Sequence, residues 1–162
     1  MNVSGYYAGI IETPLTKHGR QQAKKAGVEA KSLGINLILS SPLNRAFETA
    51  GIIARQIGYN PKKIRVSPLL VERAFGSLEG KPHVPDLQYT DIKEIEQDDE
   101  LVQRAFLALE WINSFSADHI LVVSHGSFGR ALRSILKTEY PMSHPKKINN
   151  AELLCWIEEG AA

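Results

Sequence analysis

The sequence predicts an α/β protein, a three-layer α/β/α sandwich around a mostly parallel sheet, and three observations carry that expectation. Two short apolar runs, NLILS and ILVVS, alternate with longer stretches of helical periodicity. ILVVS is too continuously apolar to leave a face in water, as expected of a strand at the centre of a parallel sheet. The chain has 162 residues, 43% hydrophobic, with no repeat, low-complexity tract or long Gly/Ser linker, so a single domain spanning 1–162 is expected.

The elements follow in order. Residues 1–15 read as irregular, broken by Gly5, Gly9 and Pro14. Thr16 caps a helix that runs through GRQQAKKAGVEAKSL to a stop at Gly34. Asn36 to Ser40 forms a buried strand, after which Ser41 and Pro42 supply the N-cap and first-turn proline of a second helix ending near Gly58. Ala46, Thr49, Ala50, Ile53 and Ile57 recur at three and four along it, so one face meets a core. Lys63 to Val66 is a short strand. Residues 68–98 hold Pro68, Pro82, Pro85, Gly76 and Gly80 and read as a surface loop that could act as a lid. Asp99 to Phe115 is a helix with Leu101, Ala105, Leu109 and Ile112 on one stripe. Ile120 to Ser124 is the strand already described, Phe128 to Lys137 a helix, and Ala151 to Glu158 a last strand.

Charge and composition exclude several functions. Nineteen Lys and Arg against eighteen Asp and Glu leave a net charge of +1, too little to hold nucleic acid or an anionic membrane non-specifically. Cys155 stands alone, so neither an internal disulfide nor a multi-Cys metal site is expected, and MNVSGYYAGI lacks the blocks of a signal peptide. A cytoplasmic protein fits these features. Histidines 18, 83, 119 and 144 are scattered, with none at the spacing that puts two imidazoles on one metal. No metal or cofactor is expected.

In open parallel sheets reactive residues gather at the carboxyl ends of the strands. There the sequence places Ser40-Ser41-Pro42-Leu43-Asn44-Arg45 after one strand and Ser124-His125-Gly126-Ser127 after another. Both turns open helices whose first N–H groups lack partners, and with Arg45 and His125 these form a cradle for a phosphate-sized anion. The bland alternative is a solvated Arg45 and a hydrogen-bonded capping His125. Glu72, in VERAFGSLEG, has the apolar neighbours Val71, Ala74 and Phe75, a setting that disfavours the charged carboxylate and suits a general acid. Most loop glutamates are simply solvated. Neither Ser124 nor Ser127 sits in a G-x-S-x-G elbow, which argues against a serine hydrolase.

Four strings together resemble the histidine phosphatase superfamily, the phosphoglycerate mutase-like proteins. They are GYYAGIIETPLTKHGRQQAKKAG, SSPLNRAFETAGIIA, LVERAFGSLEGK and ILVVSHGSFGRAL, in the family's order and covering nearly the whole chain. The resemblance implies phosphomonoesterase chemistry through a phosphohistidine, with Arg45 and His125 steadying the phosphoryl oxygens and Glu72 protonating the leaving oxygen. Asn2, Gly9 and Gly126 match positions near phosphate or substrate. A small phosphorylated substrate or a phosphoprotein is the implied partner, and the short segment between Gly80 and Asp99 favours a phosphatase over a mutase. The family's nucleophile lies in an Arg-His-Gly motif at the end of a first strand, and no such triplet occurs in this sequence. The sequence therefore reads as truncated at its amino terminus relative to the family, with the first strand missing and little or no phosphatase activity expected of the chain as given. The alternative is a non-catalytic relative that binds a phospho-ligand or phosphoprotein. The absent strand would lie beside ILVVSH, and its place is expected to close by movement of the final strand or by a strand from another chain, giving a homodimer.

Overall fold

A computed structural model of the chain describes residues 5–85, 87, 89, 92 and 94–156. Four helices and three strands alternate along it: α1 Lys17–Glu29, β1 Leu37–Ser40, α2 Asn44–Ile57, β2 Arg65–Val66, α3 Asp98–Asn113, β3 Ile120–Val123 and α4 Gly126–Leu136. Thr16 caps α1 through its hydroxyl, which accepts from Gly19 N, and a 3-10 turn over 30–33 carries the chain to Gly34. Gly34 has φ of +63°, a left-handed stop that glycine adopts without strain.

The sheet is parallel, in the order β2-β1-β3, with Leu39 opposite Arg65 and Ile38 opposite Leu121. Side chains alternate across β1 and so fix the layers. Ile38 packs with Ala46, Ala50 and Ala54 of α2, and Leu39 packs with Leu101 and Ala105 of α3 and Phe128 and Leu132 of α4. Helix α1 lies against α2 through Ala26, Ala30 and Ile53. These contacts make the α/β/α sandwich, with α1 and α2 on one face and α3 and α4 on the other.

Three expectations need correction. The most buried strand is β1, not β3: Ile38 and Leu39 are 0% exposed, while Ile120, Leu121 and Val122 stay partly open because, among the described residues, β3 pairs only with β1. Ala151–Trp156 forms no strand, and residues 157 and 158 of that expected element lie outside the described residues. Helix α2 starts at Asn44, two residues beyond Pro42, with Leu43 at its cap, because Ser41 Oγ accepts from Leu43 N before the first turn begins. The described part of residues 68–98 is loop with two 3-10 turns, as expected, and it also buries side chains. Leu70, Arg73, Phe75 and Ile95 are buried, and Tyr7, Phe75 and Ile95 form a small core of their own.

Candidate active site

Strands β1 and β3 end side by side, and their ends meet. His125 Nε2 lies 2.8 Å from Ser41 Oγ, which joins the two turns directly. Ser124 Oγ donates to Leu70 O at 2.7 Å and so fastens the Glu72 loop to the end of β3. Arg45, Glu72, His125 and Gly126 line one cavity of about 800 Å3.

Glu72 sits at the amino terminus of α4. Its Oε1 accepts from Arg73 N at 2.8 Å, Ser127 N at 3.1 Å and Phe128 N at 3.2 Å, while Oε2 takes only a longer bond of 3.3 Å from Ser127 N. The expected apolar packing of this carboxyl is therefore not its setting: helix N–H groups hold it. The same observation corrects the expectation of free helix donors. Glu72 takes the Ser127 and Phe128 N–H groups of α4, and Glu12 Oε2 accepts from Asn44 N at 3.0 Å at the start of α2.

Arg45 donates to Ile11 O at 2.9 Å and Gly9 O at 2.6 Å. Burial is the main influence on its guanidinium and lowers its pKa, against the opposing pull of Glu72, Glu12 and Glu79. Glu79 holds the other side of the Gly9 loop, its Oε1 accepting from Ile10 N and Phe75 N, both at 3.0 Å. A side chain at Gly9 would stand 2.0 Å from that carboxylate, and the residue's φ of +51° independently demands glycine. The loop is clamped between an acid and a base. Asn2, the remaining expected site residue, lies outside the described residues.

Burial, then the charges of Arg45 and Arg104, push the His125 imidazole down to about 3, so it is neutral at physiological pH. Arg104 lies under the rim. It donates to Leu69 O, Val71 O and Glu72 O and pairs with Glu96 through two nitrogens at 2.7 and 2.8 Å, which fixes the backbone that carries Glu72. The sequence signal for Arg104 was its place one turn after Leu101 and one before Ala108, on the buried stripe of α3. Ser41, Glu12 and Glu79 carried no comparable signal, because their partners are far away in sequence.

Of the other histidines, His83 stacks on Tyr7 at 4.9 Å, His144 accepts from Lys146 N, and His18 is exposed on α1. His119 lines the cavity beside Gly34, before the start of β3. Among the described residues no group of three His, Cys, Asp or Glu is placed to hold a metal, and no helix is long and apolar enough to cross a membrane.

The architecture is thus an α/β sandwich whose arginine, histidine and glutamate converge where parallel strands end. The chain belongs to the histidine phosphatase superfamily (branch 1), whose sequence profile matches residues 1–158. It is 35% identical over 144 residues to a Schizosaccharomyces pombe protein named a probable phosphatase, the alignment covering 78% of this chain and 49% of that one. The chain therefore spans about half the length of that relative. Among solved structures, the α-ribazole phosphatase of Shigella flexneri superposes with a TM-score of 0.75 at 25% identity, over 93% of this chain and 81% of the other. A mycobacterial glucosyl-3-phosphoglycerate phosphatase complexed with VO3 gives 0.76 at 24% identity, over 93% and 82%.

Proposed function

We propose that this chain carries the phosphoester-binding half of a phosphomonoesterase site that works through a phosphohistidine, and that it lacks the attacking imidazole. The observation that carries this reading is the meeting of Arg45, His125 and Glu72 on one rim. In that chemistry an imidazole nitrogen bonds to phosphorus as the ester P–O bond breaks, and the leaving oxygen takes a proton from Glu72. Water then attacks phosphorus, its proton goes to the Glu72 carboxylate, and the P–N bond breaks. Oε2 suits the proton transfer, since Oε1 is held by three N–H groups. Arg45 and a neutral, hydrogen-bonding His125 would take the phosphoryl oxygens, with Gly126 and the Gly9 loop bordering the ligand.

A second reading is favoured by the histidines. Among the described residues no second imidazole joins His125 at the rim, which suits a relative that binds a phosphorylated small molecule or phosphoprotein and does not turn it over. Both readings require phosphate to bind here. Calorimetric titration with inorganic phosphate should give saturable one-site binding that Arg45→Ala weakens by about tenfold or more, with negligible hydrolysis of p-nitrophenyl phosphate by the unmodified chain. Turnover abolished by His125→Ala would defeat the claim that the attacking group is missing.

A further inference from the structure

A second cavity, a cleft of about 510 Å3, runs along α2, and its volume falls in the range of small-molecule sites. Phe47, Gly51 and Arg55 line it at a spacing of four, so they form one stripe with each residue about 6 Å further along the helix axis. Pro14, Pro61 and Ile64 add apolar wall. Phe47 is 42% exposed and joins none of the hydrophobic clusters, whereas Ala46, Ala50 and Ala54 of the same helix pack on Ile38. The ring is thus an apolar surface held outside the core.

Gly27 of α1 and Gly51 of α2 sit inside helices for different reasons. A side chain at Gly27 would stand 2.8 Å from Gln56, so the close approach of α1 to α2 demands glycine there. A Cβ at Gly51 would lie 3.6 and 3.8 Å from the guanidinium nitrogens of Arg55, an ordinary contact with the end of a flexible side chain, and would meet no other neighbour within 4 Å. Glycine weakens a helix interior, and packing does not call for it at this position. Its effect is to leave the floor of the cleft clear and to let the Arg55 guanidinium lie back over it, one turn nearer Phe47.

The charges of the cleft decide what could occupy it. Glu48 is paired with Arg20, and Glu12 accepts from Asn44 N, so both carboxylates that line it have partners. Arg55 has no ion pair among the described residues. The uncommitted charge is therefore positive, and it lies beside an exposed aromatic ring. We propose that this cleft binds a small aromatic carboxylate, its anion on the Arg55 guanidinium and its ring over Gly51 against Phe47. A guanidinium presents paired N–H groups that match the two oxygens of a carboxylate. Glu12 and Glu48 limit the ligand to one negative charge, because a second acidic group would meet one of them. This site is separate from the rim of Arg45, Glu72 and His125, and it does not rest on the function proposed above.

The test titrates the intact chain with 2-naphthoate, followed by the fluorescence anisotropy of the probe. The expected result is saturable one-site binding. It should weaken about tenfold or more for 2-naphthamide, which lacks the charge, and for cyclohexanecarboxylate, which lacks the aromatic ring and is measured by calorimetry. Arg55 is exposed, so Arg55→Gln removes the anion contact without disturbing the core, and it should cost a similar factor. Gly51→Leu fills the floor of the cleft and replaces a poor helix former by a good one, so it should abolish binding while the chain unfolds at no lower temperature. Saturating inorganic phosphate should leave the bound probe in place. Absence of saturable binding, or unchanged affinity in either variant, would overturn the proposal. Displacement of the probe by phosphate would overturn it too, since the probe would then be bound at the Arg45 rim.

Discussion

At the scale of single residues, His125 gives the clearest consequence of burial. Its imidazole keeps a neutral form down to about pH 3 in the folded chain, against an ordinary value of 6.5 when exposed. Between these values the unfolded chain binds a proton that the folded chain does not, so folding stability falls as pH drops from about 6.5 toward 3, and is unaffected by this group above that window. A single site contributes a slope of at most about 1.4 kcal/mol per pH unit. Urea unfolding from pH 7 to pH 4 should show this decline, and His125→Gln, which keeps a polar partner for Ser41, should flatten it by about one proton. An identical pH dependence in the variant would mean that another group is responsible. Arg104 works in the opposite sense, as a charge whose partners are all in place. Arg104→Met should destabilise the fold by about 3 kcal/mol or more, because it removes the cation paired with the partly buried Glu96 and the donor to three carbonyls of the Glu72 loop. Thermal unfolding measures that loss, and a change under about 1 kcal/mol would show the network to be dispensable.

At the scale of elements, what could be read from the sequence is what local chemistry dictates. The Thr16 cap and Gly34 stop were legible because a hydroxyl three residues before an N–H and a glycine at positive φ are short-range devices. Strand β1 and the apolar stripe of α2 were legible from periodicity alone. The final strand was misread because AELLCWIE has a strand's composition, while composition does not say whether a partner edge lies within reach. The rim was half legible. Arg45 and His125 follow strands, so topology brings them together, but the carboxylates on the helix termini come from distant loops, over 32 residues for Glu12 and 55 for Glu72. A sequence marks where a helix starts without saying which remote acid will reach it. The rim consequently differs from an open cradle. An incoming phosphate meets Arg45 already bonded to two carbonyls and α4 already capped, and its binding must compete with or add to those contacts.

At the scale of the whole molecule, two helical layers enclose a sheet in which, among the described residues, β3 pairs only with β1. The polar rim of Arg45, Glu72 and His125 opens on the cavity of about 800 Å3 that β3 also lines. The proposed function requires that Arg45 and His125 grip the same anion. The most direct measurement is a titration of the 15N-labelled chain with inorganic phosphate, followed through the Arg45 Nε and His125 ring nitrogens. A shared grip predicts that both sets of signals move together along one saturation curve, and that Arg45→Ala abolishes the shift at His125. Independent curves for the two side chains, or shifts confined to lysines away from the rim, would contradict it.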